Sequence, residues 1–219
     1  MVIASEAVAP KPLLRGVLHQ GAFFASLVVG ALLIGFSEGA SRQAAAAVFA
    51  GSVAVCFGVS ALYHRGTWAP HSRVLLRRLD HAGIYLLIAG TYTPVCLLVL
   101  DGAWRYTVLA VVATAAAAAI MVMVSWVTAP NWFAAALGLG VGWIGVLLLP
   151  QLATRLEPAA VVLLALGGIA YTVGAIVYAR RRPNPAPTVF GYHELFHALT
   201  ILGVACQYVA IAVFVIHAG

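Results

Sequence analysis

Seven long apolar runs, separated by short polar breaks, make up most of the 219-residue chain. They fall at about 17–36, 44–64, 79–100, 104–128, 132–149, 158–179 and 191–216. The hydrocarbon core of a bilayer is about 30 Å thick and takes about 20 apolar residues to cross as a helix. Each run therefore predicts one membrane-spanning helix. The breaks carry Pro70, Asp101-Gly102, Pro130-Asn131 and Pro183-Asn184-Pro185, residues that interrupt helices. Connections this short leave no room for a second domain. The expected organisation is all-α: an N-terminal tail over 1–16, then a single seven-helix transmembrane domain over 17–217.

Composition agrees with the pattern. The chain is 63% hydrophobic and 8% charged, with mean hydropathy +1.03, whereas a soluble domain carries about a quarter charged residues. Polar surface is too scarce to meet water on all sides, which excludes a soluble fold. The opening residues, with Glu6, Pro10, Lys11 and Pro12, do not form a secretory signal. Cys56, Cys96 and Cys206 sit inside apolar runs without C-x-x-C spacing and read as free thiols.

The net charge of +6 invites a nucleic-acid reading, but in a membrane protein basic residues mark the cytoplasmic loops. Lys11, Arg15, Arg65, Arg73, Arg77, Arg78, Arg180, Arg181 and Arg182 fall on one side of the predicted bundle, and Arg42, Arg105 and Arg155 on the other. Nine against three places the N-terminus in the cytoplasm and the C-terminus outside, the reverse of a G-protein-coupled receptor. No nucleic-acid partner is expected; membrane lipids are.

Ionisable residues inside membrane spans are costly and usually functional. His64 closes the second predicted helix, Asp80 opens the third, and His193 and His197 occupy the first turns of the seventh. The alternating topology brings all four to the cytoplasmic side at similar depth. His193 and His197, four apart, share a helix face about 6 Å from each other along the axis, a spacing that suits two imidazoles on one metal. His64 is the best third ligand, with Ser60 on its face one turn earlier. Three protein ligands plus water is the usual catalytic zinc arrangement, and Asp80 is placed to hold that water or take its proton.

His193-Glu194-Leu195-Phe196-His197 also reads H-E-x-x-H, the zinc-protease helix signature. A protease needs a further ligand downstream. His217 is the only candidate, and it lies about 30 Å along the helix, at the other membrane face. Glu194 points about 100° from the His193 side, so it reads as a helix-start charge, and the third ligand must come from upstream.

"SALYH" (60–64), "LDHAGIYLLIAGTYTP" (79–94) and "HELFH" (193–197), in that order on helices two, three and seven, resemble the haemolysin III-like bacterial branch of the progestin and adipoQ receptor family, over about residues 16–216. The resemblance implies seven helices with a cytoplasmic N-terminus in the bacterial inner membrane. It also implies zinc held by His64, His193 and His197, Asp80 contacting it through water, and Ser60 alongside. The similar alkaline ceramidases suggest hydrolysis of lipid amides; for the bacterial branch, haemolysis and membrane homeostasis are proposed. Where many relatives place Glu and Asn before a helix-one histidine, this chain has Pro12 and Arg15 before His19.

Structural roles stand beside these functional ones. Asp80 serves either as described or as an N-cap or partner of Arg77 or Arg78. Ser60 serves either as an oxyanion donor or as a helix-carbonyl donor. His81 is expected to pack or to support the site from behind, His71 to be solvated in a loop, and His217 to be remote. His19, on the cytoplasmic side, either approaches the site or sits at the headgroups, the latter being favoured. Pro94, fifteen residues into the third helix, is expected to kink it. Gly138 and Gly142 form a small-xxx-small pattern that predicts close helix packing. Trp104, Tyr106, Trp126 and Trp132 mark the membrane interfaces. Two functions follow: a zinc-dependent hydrolase of lipid amides or esters (Asp80 and Ser60 catalytic), or a non-enzymatic homeostasis, receptor-like or haemolysin-like protein with a structural zinc.

Overall fold

The computed structural model describes residues 11–217. Glu6, Pro10 and most of the expected tail lie outside the described residues. Seven helices are long and apolar enough to cross a membrane: α1 (Val17–Phe36), α2 (Ala40–Arg65), α3 (Pro70–Leu98), α4 (Gly102–Ser125), α5 (Asn131–Arg155), α6 (Pro158–Arg180) and α7 (Tyr192–Val215). No strand occurs among the described residues; an isolated bridge joins Ala186 to Phe190. Large apolar side chains such as Phe24 and Val28 on α1, Met121 on α4 and Ile169 on α6 point away from the bundle. Helices apolar on all sides need a hydrocarbon surround, and the chain is a multi-pass membrane protein.

The helix ends depart from the apolar runs where polar residues are helical too. α3 begins nine residues before the expected start, because Pro70 takes a first-turn position, where its missing N–H costs nothing. Pro70 is thus a helix initiator rather than a loop breaker, and His71 is exposed on the first turn of α3 rather than in a loop. Asp80 lies in the third turn of α3 and cannot be its N-cap, as the structural reading had it. α3 continues through the buried Pro94 to Leu98.

α5 is not uniform. It runs as an α-helix over Asn131–Gly142, tightens to a 3₁₀ segment over Trp143–Leu148, and closes with Leu149–Arg155. Gly138, Gly140, Gly142 and Gly145 weaken it, and the Tyr92 hydroxyl of α3 donates to the Gly142 carbonyl at the head of the tightened segment (2.7 Å).

More than half of the α2 span is buried, against 22% for α1 and α5, so α2 is the axis of the bundle. Close approach is bought by glycines other than those the spacing pointed to. A Cβ on Gly138 would meet nothing closer than Tyr85 at 4.0 Å, and one on Gly142 nothing at all. Both glycines instead line a cavity, so the small side chains leave space open there rather than bringing helices together. The tight contact lies between α2 and α3, where a Cβ on Gly90 would fall 2.5 Å from the Ser52 Cβ. At the end remote from His64, Asp101 pairs with Arg155 of α5 and with Arg105 of α4 (3.6 Å), and Arg155 also donates to the Val99 carbonyl (3.1 Å). Trp104, Tyr106, Trp126 and Trp132 are all exposed.

Gly90→Ala should force α2 and α3 apart and cost about 1–3 kcal/mol, the usual range for overpacking. Gly168→Ala, which meets open space inside a helix, should hold the unfolding midpoint in detergent or raise it slightly. Equal midpoints for the two variants would refute the close-packed α2–α3 seam.

Candidate metal centre

The end of α2 and the starts of α1, α3 and α7 meet at one end of the bundle, and the polar residues collect there. His64 and His197 are buried and His193 is partly buried; each offers one ring nitrogen, and the three nitrogens lie within 4.8 Å of one another. The Nε2 atoms of His64 and His193 are 3.1 Å apart. Two imidazole nitrogens bound at about 2.0–2.1 Å on a tetrahedral ion sit roughly 3.3 Å apart, so this pair is already at ligating separation. His197 completes the triangle, its ring centroid 5.2 Å from that of His64 and 4.5 Å from that of His193. Three converging imidazoles fit a divalent transition metal ion.

Asp80 stands beside this triangle. Its Oδ2 is 3.6 Å from the Nε2 of His64, the same nitrogen that faces His193. The carboxylate therefore faces the ligating side of the imidazole, not its back. Ser60, buried one turn before His64, contacts the same carboxylate through its hydroxyl. Asp80 makes no ion pair with Arg77 or Arg78 among the described residues; its partner is His64. His81 faces elsewhere: its Nδ1 meets the Arg77 carbonyl (2.7 Å), and its ring lines the cavity.

Helix α1 belongs to the site: of the two placements open to His19, the ring takes the one beside the histidines and not the favoured one at the headgroups. The His19 ring is buried and lies flat against that of His197, centroids 3.7 Å apart and planes 4° from parallel. Neither of its nitrogens has a hydrogen-bond partner among the described residues, so stacking is what holds the ring against His197. Three residues earlier, Gly16 adopts φ +79°, and a Cβ there would lie 2.7 Å from the Cβ of His64. Only glycine can make that turn at that distance. The depth argument that placed His193 at this end applies equally to His19; α1, apolar all round, gave no sign of which face turns inward.

Glu194 is a helix-start charge, as its direction implied. Its Oε2 accepts from the Gly191 backbone N–H (2.9 Å) at the N-cap of α7, the glutamate half of a capping box, with no side chain on Gly191 to return the bond. Its other oxygen accepts from the Arg15 Nε. Arg15, counted above only as a topology marker, thus ties α1 to the turn that carries both histidines. The backbone N–H groups of Leu13 and Leu14 add bonds to the carbonyls of Thr188 (2.9 Å) and Val189 (3.1 Å). His217 is exposed at the far end of α7.

A cavity of about 420 Å³ opens beside the histidines, walled by α3, α5, α6 and α7. Its lining is almost wholly apolar. Cys56 lies one turn before Ser60 and Thr200 one turn after His197, so the cavity reaches the site along two helices. Tyr178 and Phe196 separate the two spaces, their rings 5.9 and 6.0 Å from that of His193.

Residues 8–208 match the family model described as "Haemolysin-III related". The chain is 30% identical to "Hemolysin-3 homolog" of Bacillus subtilis (strain 168) over 161 residues, 74% of this chain and 72% of that one. It is 31% identical to "Hemolysin-3" of Bacillus cereus over 177 residues, 81% of this chain and 78% of that one. A seven-helix membrane bundle with a histidine cluster at one end, this chain belongs to the haemolysin-III related family.

Arg15→Ala leaves the Glu194 carboxylate, 1% exposed, without its cation. The expected loss is about 3 kcal/mol, the low end of the range for breaking a buried pair, since 23% of the Arg15 side chain is exposed. Arg15→Ala with Glu194→Gln should recover part of that loss. Thermal unfolding of the two variants checks the pair, and a double variant no more stable than the single would contradict it.

Proposed function

We propose that this protein is a zinc-dependent hydrolase of the bacterial inner membrane, acting on an amide or ester bond of a lipid near the cytoplasmic leaflet. The observation that carries this reading is the convergence of three imidazoles from α2 and α7 beside a carboxylate and an apolar cavity. The cavity volume falls within the range of ligand pockets, about 300–1,000 Å³, and its lining suits an acyl chain. The excess of basic residues at the site end supports a cytoplasmic placement.

His64, His193 and His197 are the proposed ligands. Zinc bound there would supply a Lewis acid for the scissile carbonyl and lower the pKa of water. Asp80, on the ligating side of His64, accepts the proton of the attacking water and returns it to the leaving nitrogen or oxygen. The water oxygen bonds to the carbonyl carbon, the amide or ester bond breaks, and a carboxylic acid and an amine or alcohol leave. Ser60, one turn before His64, either orients Asp80 through its hydroxyl or donates to the developing oxyanion.

The second reading is a non-enzymatic membrane protein, homeostatic, receptor-like or haemolysin-like, in which zinc clamps α2 to α7. The names of the Bacillus relatives favour it. Structural zinc sites are closed by four protein ligands, whereas three donors converge here among the described residues, which favours the hydrolase.

Purified wild type should carry about one zinc per chain, and His64→Ala and His197→Ala should lose it; equal, negligible zinc in all three removes both readings. Asp80→Asn should retain zinc and lower hydrolysis of ceramide-like amides by about 10²–10⁴-fold, the usual contribution of a general base. Turnover unaffected by that substitution rules out the role given to Asp80.

A further inference from the structure

We propose that a second binding site, for the oxyanion of a phosphate group, lies at the same end of the bundle. It is a small pocket between the described N-terminal residues and the α2–α3 turn. Lys11, Tyr63, Gly66, Thr67, Trp68 and Arg73 enclose about 50 Å³, room for a few waters or one phosphate group. The site is independent of the zinc reading.

Two cations meet in this pocket with no carboxylate to balance them. The ion pairs among the described residues join Arg15 to Glu194, His64 to Asp80, and Arg105 and Arg155 to Asp101. Lys11 and Arg73 take part in none. Of the acids at this end, Asp80 and Glu194 are engaged inside the bundle, and Glu6 lies outside the described residues. Glu38, Asp101 and Glu157 follow α1, follow α3 and precede α6, all at the opposite end. Among the described residues, no acidic residue at this end is therefore left to neutralise the pocket.

The local backbone adds to the same field. α3 starts at Pro70 beside the pocket, runs 29 residues, and has no acid in its first turn. The positive end of its dipole is uncompensated, and Arg73 in that turn raises the charge further. The walls are rigid: the Trp68 indole N–H donates to the Leu62 carbonyl (3.0 Å), and the Tyr63 ring rests on that of His64 with centroids 4.6 Å apart. Trp and Tyr favour headgroup depth in a bilayer. Cationic side chains with a helix N-terminus at that depth select a phosphate, either the headgroup of an anionic phospholipid or the free ion.

Thermal unfolding of the full chain in neutral detergent tests this with three additions: phosphatidylglycerol, phosphatidylcholine of the same chains, and inorganic phosphate. Phosphatidylglycerol should raise the midpoint and phosphatidylcholine should not. A matching rise with inorganic phosphate assigns the site to the free ion, and a rise with the lipid alone assigns it to the headgroup. Lys11→Gln/Arg73→Gln should weaken the apparent affinity roughly thirty-fold, the effect of two juxtamembrane cations. Arg180→Gln/Arg182→Gln removes as much charge from the same end, at exposed positions outside the pocket, and should keep the response. Lys11→Gln alone should lose part of it, which guards against a folding defect in the double variant. Equal losses in the two double variants would reduce the site to diffuse charge, and no rise with either phosphate source in the wild type would eliminate it.

Discussion

A charged or hydrogen-bonding side chain buried within a bilayer-spanning bundle needs a partner, because water is not there to supply one. The site end of this protein is organised by that requirement. Glu194 is almost wholly enclosed, and it is satisfied twice, by the Gly191 N–H and by Arg15. Asp80 is answered by His64 and Ser60. Arg15 reaches Glu194 from the start of α1, and His64 reaches Asp80 from α2, so meeting the need of each carboxylate draws two helices together. Among the described residues, the apolar remainder of the bundle has no buried charge to pair. Its helices meet through close packing, as at Gly90 and Ser52, and through single neutral hydrogen bonds such as that from Tyr92 to the Gly142 carbonyl.

The division of labour between the two ends follows from this. Asp101, Arg105 and Arg155 form an exposed clamp across α3, α4 and α5, where solvent screens the charges and each pair contributes little. At the histidine end the charges lie deeper and the geometry is tighter. The apolar cavity begins where the polar cluster stops, with Tyr178 and Phe196 between them. A polar histidine cluster and an oil-lined space thus share one wall, the arrangement a polar-headed, apolar-tailed molecule would need.

Much of this was legible in the residues. The seven apolar runs located all seven helices, because hydrocarbon thickness constrains length strongly. The alternation of direction brought His64, Asp80, His193 and His197 to one end, and the i, i+4 spacing put the last two on one face. What escaped was side-chain direction on helices that are apolar all round. His19 could not be turned inward from sequence, and the stacking on His197 became visible only once α1 was placed against α2 and α7. Arg15 looked like one more cytoplasmic cation. The glycine pattern at 138 and 142 misled because small side chains serve close packing and open space equally well, and spacing alone does not separate the two. The start of α3 was missed because helix continues beyond the apolar stretch, where hydropathy gives no signal.

Residues 13 and 14 bond to residues 188 and 189, and Arg15 to Glu194; nearly the whole chain lies between these partners. Synthesis delivers them at opposite times. A chain still emerging from the ribosome, with α1 to α6 already in the bilayer, carries Arg15 with no counter-ion and His64 beside Asp80 without the imidazoles of α7. Arrival of the final helix answers these needs together. Completion of the histidine triangle therefore waits for the arrival of α7, which carries two of its three imidazoles.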